Sequence, residues 1–325
     1  MHMENKLLDV RSLSIGFRSG KETLSAVRDV SFSLERGRTL CIVGESGCGK
    51  SVSVSTILRL LPKKATSISG EILFNGKDLL KMSAAELDHV RGNDISMIFQ
   101  EPMTSLNPTM TIGKQLMEGL LAHQTITRKE AYERCEHMLA SVNIHDPKRR
   151  MKEYPHQFSG GMRQRVMIAM AMLCNPSVLI ADEPTTALDV TVQAQILELM
   201  EKLKEEHNTA ILFITHDMGV VAELADDVIV MYAGEMVECR DVNGQFTTPR
   251  HPYTQGLLSA LPRIGQDQHR LYSIEGTVPA LGKMSDGCRF ADRCTQRMPE
   301  CVGRPAMYDT GDARVKCFRY RKEGE

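Results

Sequence analysis

The stretch Gly44-Glu-Ser-Gly-Cys-Gly-Lys50-Ser51 constrains this chain more than any other. It matches G-x-x-x-x-G-K-[ST] and stands between an apolar run, Thr39 to Val43, and a segment from Lys50 to about Leu61 that reads as a helix closed by Pro62. The run is apolar on both sides of its pleat, which suits a buried strand in a parallel sheet. Glycines at these spacings let backbone N–H groups turn inward around phosphate oxygens, while the helix N-terminus adds a positive end. Gly44, Glu45, Ser46, Gly47, Cys48 and Gly49 would form the cradle. Lys50 would reach the β- and γ-phosphates, and the Ser51 hydroxyl would ligate Mg²⁺.

The flanking patterns extend the α/β reading. Leu8, Val10, Leu13, Ile15 and Phe17 roughly alternate with polar neighbours, and Val30, Phe32 and Leu34 alternate cleanly, so both read as half-exposed strands. Gly70 to Gly76 reads as a strand with a turn, Ser83 to Glu86 as a capping box, and Ile95 to Phe99 as a strand. From about 102 to 174 helical periods take over, with a second capping box at Thr127 to Glu130, which predicts an inserted helical subdomain. Strand patterns return at Ser177 to Ala181 and Ala210 to Thr215, separated by a helix carrying Ile196, Leu199, Met200 and Leu203. Val228 to Cys239, broken at Ala233-Gly234, reads as a hairpin. Buried strands joined by helices imply an open α/β sheet with right-handed crossovers. A boundary is expected near Arg240, giving a main domain at 1–240 and an extension at 241–325 rich in Pro, Gly, Arg and Cys. That extension is too polar for a strong core of its own, so it must lie against the main domain or be stapled.

Val178-Leu-Ile-Ala-Asp182-Glu183 supplies the counterpart of the glycine loop. An apolar strand delivers carboxylates to its C-terminal edge, where open α/β sheets place ligands. Asp182 can hold Mg²⁺, and Glu183 can orient or deprotonate an attacking water. Between the two motifs, Phe158-Ser159-Gly160-Gly161-Met162 opens a helical pattern and forms a further anion-binding nest.

The order of these motifs resembles the ATP-binding cassette family, whose signature is usually written LSGGQ. Here Phe158 replaces the Leu and Met162 the Gln, leaving Ser159, Gly160 and Gly161 intact. The resemblance implies an α/β P-loop NTPase fold, with a RecA-like parallel-sheet core, an antiparallel β subdomain, an inserted helical subdomain and here a small Cys-rich C-terminal extension. It implies that Gln100 senses Mg²⁺ and water, that Ala187-Leu188-Asp189 is the D-loop, and that His216 contacts the γ-phosphate. Phe17 would stack on adenine, or else be a strand-end core aromatic. Two cassettes of the family pair head to tail, so the signature of one closes over ATP held by the other.

Gln100 to Pro108, Arg250-His-Pro-Tyr-Thr-Gln-Gly256 and Gly287 to Cys294 resemble the ATPase subunits of dipeptide and oligopeptide importers. Such subunits dock on two separate transmembrane permease subunits at the cytoplasmic face of a prokaryotic membrane. They act with a second, usually non-identical ATPase subunit, and indirectly with an extracytoplasmic substrate-binding protein. The longest apolar run, Val166 to Cys174, is far short of the ~20 residues of a membrane helix, and the N-terminus has no export signal. With 40 Lys+Arg against 41 Asp+Glu, charge gives no case for nucleic-acid binding, the alternative being a soluble cassette protein that remodels nucleic acid or ribosomes. Twenty methionines read as core filling.

Of nine cysteines, Cys41, Cys48, Cys135, Cys174 and Cys239 read as small core residues, whereas Cys288, Cys294, Cys301 and Cys317 group as C-x5-C-x6-C-x15-C. Four thiolates in one segment can hold an iron–sulfur cluster or Zn²⁺, or remain free. In the dipeptide-importer branch the matching cysteines hold a [4Fe–4S] cluster, which the resemblance places first and zinc second.

Overall fold

A computed structural model describes residues 6–20, 22–100, 105–186, 188–261 and 272–322. The chain divides into two compact units, one holding 6–33, 39–80 and 215–325, the other 34–38 and 81–214.

In the first unit a four-stranded sheet runs in the order β2 (Glu22–Glu35), β1 (Lys6–Ser19), β4 (Thr66–Phe74), β5 (Lys77–Asp78). β1 and β4 are antiparallel, Leu8 facing Phe74 and Phe17 facing Thr66. β4 is longer than the Gly70–Gly76 pattern predicts. Its early half, Thr66 to Ser69, is largely polar in sequence, with Thr66 buried, Ile68 half-buried and both serines exposed, yet it pairs with β1, and Gly70 (φ 104°) passes the β1 bulge at a point where a Cβ would lie 2.6 Å from the Arg11 carbonyl. A second strand series in this unit runs β11 (Tyr308–Asp309), β12 (Arg314–Val315), β10 (Glu235–Asp241), β9 (Asp227–Tyr232), β3 (Thr39–Val43). β3 and β9 are parallel, and β9 and β10 form the expected hairpin around Ala233 (φ 46°) and Gly234 (φ 81°). Two left-handed residues suit a tight hairpin turn, and all five residues of β3 are buried.

Helix α1 spans Lys50–Ile57, one turn shorter than the expected end near Leu61. Arg59 takes a left-handed φ of 50°, which stops the helix before Pro62 even though Leu58, Leu60 and Leu61 continue an apolar pattern. Helix α8 (Met218–Leu224) leads into β9, and α9 (Val242–Thr247) and α10 (Pro252–Ser259) follow β10. Among the described residues after α10, Arg289, Phe290 and Lys316 lie against the β9–β10 hairpin. Phe290 packs on Tyr232 and Tyr253 with ring centroids 5.0 and 5.3 Å away, Arg289 donates to the Ala233 carbonyl, and Lys316 N–H donates to the Val237 carbonyl at 2.8 Å.

His251 caps α10 from a fully buried position, its Nδ1 accepting from Tyr253 N–H at 3.1 Å. Burial pulls its pKa from 6.5 to about 3. The unfolded chain therefore takes up this proton near pH 6.5 and the folded chain does not, so stability falls as pH drops below 6.5, by about 1.4 kcal/mol per unit. Urea unfolding at pH 7 and 5 should show about 2 kcal/mol of this loss. His251→Asn, which can still cap the helix, should flatten that slope.

In the second unit β6 (Ile95–Ile98), β7 (Val178–Asp182) and β8 (Ala210–Thr215) form a parallel series in the order β8-β7-β6, with β8 entering the first unit at Thr215. Every residue of β7 and β8 is buried, consistent with strands covered on both faces. Helices α2 (Ala84–Val90), α3 (Ile112–His123), α4 (Arg128–Ser141), α5 (Pro147–Arg150), α6 (Gly160–Met172) and α7 (Val190–His207) complete it. Both capping boxes form: Ser83 with Glu86 and Thr127 with Glu130. No helix among the described residues is long and apolar enough to cross a membrane.

Candidate nucleotide site

The phosphate loop leaves the buried end of β3 and turns through Gly44 (φ 151°), Gly47 (φ 78°) and Gly49 (φ 94°) into α1. Gly44 is required sterically: a Cβ there would sit 2.2 Å from the Met231 carbonyl. Lys50 is 5% exposed and curls back, its Nζ donating to the carbonyls of Gly44 at 2.7 Å and Glu45 at 3.1 Å. Cys48 is buried, its thiol pushed up by that burial, and its carbonyl accepts from Gly234 N–H at 2.9 Å, tying the loop to the hairpin turn. Ser46 and Gly47 are exposed at the loop's crest, and Ser51 is half-buried on the first turn of α1. Phe17 is half-buried at the end of β1, and His216 is exposed immediately after β8.

In the other unit β7 ends on Asp182, which is 5% exposed and stands opposite Ile214 of β8. Glu183 follows with a left-handed φ of 47°, an unfavourable conformation for a residue with a Cβ, and its N–H is held by the Ile214 carbonyl at 3.0 Å. The turn swings the carboxylate out of the strand. Its Oε2 accepts from Gln100 Nε2 at 3.1 Å and from Thr186 Oγ1 at 3.0 Å. The structure thus brings together two residues singled out independently in the sequence, Gln100 and Glu183, and adds Thr186. Thr186 carried no signal beyond its place three residues after Glu183.

Ser159 caps α6, its Oγ accepting from Met162 N–H at 3.3 Å. Ser159 and Gly160 are exposed, and a Cβ on Gly161 would meet Val192 of α7 at 2.9 Å. Phe158 is 3% exposed, so its exchange for leucine keeps an apolar core position. Asp189 caps α7 through Val192 N–H at 2.9 Å. Ala187, and the stretch 101–104 within Gln100 to Pro108, lie outside the described residues.

In the tail, Cys301 is buried and the other three of the grouped cysteines are half-buried. The thiol of Cys288 is pushed up to about 11, first by burial and then by repulsion from Cys301, Cys317 and Cys294. Cys294 and Cys317 are raised for the same leading reason, with Cys301 contributing to each. Four soft donors within electrostatic reach of one another fit a cluster or zinc by donor chemistry. Among the described residues, however, no three His, Cys, Asp or Glu side chains are already arranged as a metal-holding group.

Comparison with known proteins separates the two halves of the chain. The family model described as ABC transporter matches residues 27–186, and that described as oligopeptide/dipeptide transporter, C-terminal region, matches 237–301. The dipeptide transport ATP-binding protein DppD of Bacillus subtilis (strain 168) is 52% identical over 91% of this chain and 89% of its own length. The chain belongs to the ABC transporter family. The oligopeptide transport ATP-binding protein OppD of Salmonella typhimurium is 48% identical to this cassette over 97% of the chain and 94% of that protein. Among solved structures, the dimeric MJ0796, a bacterial ABC transporter cassette, covers 72% of this chain and 98% of its own with a TM-score of 0.64 and 27% identity. A post-hydrolysis state of the same cassette, bound to ADP and Pi, aligns with a TM-score of 0.65 at 27% identity and the same coverage. This ABC cassette therefore has the P-loop ATPase fold with mixed sheet and helices that its motifs imply.

Proposed function

We propose that this chain is the ATP-hydrolysing subunit that energises import of di- or oligopeptides through a separate membrane permease. The observation that carries the chemistry is Glu183, turned out of β7 in a strained conformation and held by Gln100, in a chain that also carries a complete phosphate loop. In this reading the loop from Gly44 to Ser51 holds the triphosphate, and Lys50 reaches the β- and γ-phosphates. Ser51, Asp182 and Gln100 hold Mg²⁺, which when bound neutralises charge developing on the phosphate oxygens. Glu183 orients the attacking water and takes its proton, and His216 contacts the γ-phosphate. Phe17 stacks on the adenine.

Exposure of Ser159 and Gly160 supports their use on ATP held by a second cassette, with Asp189 beside that interface. ATP then favours the closed pair and hydrolysis releases it. The partner cassette is a related subunit, and both dock at the cytoplasmic face of the membrane on two permease subunits that receive peptide from an extracytoplasmic binding protein. The match of 237–301 to the peptide-transporter C-terminal region supports peptides as the cargo class, with 1–240 as the ATPase domain and 241–325 as its extension. Nothing in the fold favours the nucleic-acid alternative. Co-expression with such a permease pair should yield a detergent-stable complex, and a chain that never associates with it would count against the transport role.

Cys288, Cys294, Cys301 and Cys317 are the ligands of a [4Fe–4S] cluster in this reading, with zinc the alternative that the same donors accept. Anaerobically purified protein should be brown, with iron and acid-labile sulfide. A colourless protein with one zinc per chain rejects the cluster.

A further inference from the structure

Glu45 is the one charged side chain between Gly44 and Lys50. A carboxylate in a loop that wraps a polyanion opposes binding, because like charges at close range disfavour one another more strongly near a protein surface than in water. All three polar groups of Glu45 are nevertheless held. Its carbonyl accepts from Lys50 Nζ at 3.1 Å, its N–H donates to the Tyr253 hydroxyl at 3.0 Å, and its carboxylate accepts from Arg293 Nη1 at 2.9 and 3.1 Å. Tyr253 is fully buried on α10, and the Arg293 side chain is 8% exposed. Arg293 is fixed in turn, through Nε to the Glu275 carbonyl at 2.8 Å, Nη2 to the carbonyls of Ile274 and Gly276 at 3.3 Å, and its guanidinium lying 5.6 Å from the Tyr232 ring centroid. A fully engaged, preorganised guanidinium is a strong anchor for a carboxylate. It comes from the tail, one residue before Cys294 and 248 residues from Glu45.

We propose that Arg293 is a positioning residue for ATP: it neutralises Glu45 and holds the phosphate loop open to the polyphosphate, so that the C-terminal segment sets nucleotide affinity. This rests on the reading of Gly44 to Ser51 as the ATP phosphate loop.

The test is Mg·ATP affinity by equilibrium titration, with KM and kcat, for the full chain and for Arg293→Met, Glu45→Gln and the double variant. Arg293→Met leaves a bare carboxylate beside the phosphates and should weaken ATP binding about tenfold, visible in KM, while kcat at saturating ATP stays within about twofold. Adding Glu45→Gln to Arg293→Met removes that carboxylate and should recover most of the loss, a coupling that a general loss of structure would not produce. Arg293→Lys, which keeps the charge but not the fork, should fall between wild type and Arg293→Met, and it serves should Arg293→Met fail to fold. Wild-type affinity in a folded Arg293→Met, or a double variant as weak as Arg293→Met, overturns the proposal. Lys50→Ala separates the two readings: if it binds ATP like wild type, the assignment of the loop fails; if it loses ATP while Arg293→Met does not, only the role of Arg293 fails.

Discussion

Replacing Glu183 by glutamine should leave ATP binding nearly intact while lowering turnover by about 10²–10⁴-fold, the usual worth of a positioned general base. Gln fills the same volume and can keep the polar contacts that now hold the Glu183 carboxylate to Gln100 and Thr186, so the turn after β7 and the rest of the unit should stay in place. What it lacks is an anionic oxygen able to take a proton from water. The bound state should therefore accumulate, and two cassettes that close on ATP should stay closed. Phosphate release measured at saturating ATP, beside equilibrium binding of the same nucleotide, separates the two effects. Undiminished turnover in Glu183→Gln would remove this residue from the chemistry.

Lys50→Ala should have the second large effect, a loss of ATP affinity of about a hundredfold or more, since a charge-assisted contact to two phosphates disappears from a protected site. Its ammonium also donates to the Gly44 and Glu45 carbonyls. Losing that donor should cost about 1–3 kcal/mol of stability. A modest drop in melting temperature should therefore accompany the loss of binding, and saturating ATP should stabilise the wild type but not the variant.

Features legible in the sequence are those whose cause is local. The glycine spacing of 44–49 demanded a loop, and the apolar runs of β3, β7 and β8 demanded buried strands. Two capping boxes marked helix starts that form as expected. Misjudged or unseen features depend on backbone conformation or distant contacts. Arg59 ends α1 through a left-handed turn that no apolar pattern encodes, and the polar start of β4 becomes strand through pairing with β1. The hydrogen bond from Gln100 to Glu183 spans 83 residues, although Glu183 was singled out by its place at a strand end and Gln100 by the family resemblance. Arg293 and Tyr253 were invisible as neighbours of the phosphate loop, because more than 200 residues separate them from Glu45 and neither belongs to a pattern that names a partner. For the tail cysteines, spacing identified the donor set, and folding adds their mutual electrostatic reach, with no arranged metal-holding group among the described residues.

The most direct test of the account is reconstitution of this chain with its permease and partner cassette in lipid vesicles, following ATP hydrolysis and peptide uptake together. Hydrolysis should rise several-fold when peptide-loaded binding protein is added on the opposite side, uptake should require ATP, and Glu183→Gln in this chain should depress both. Hydrolysis indifferent to permease and peptide, or uptake undisturbed by Glu183→Gln, would contradict it.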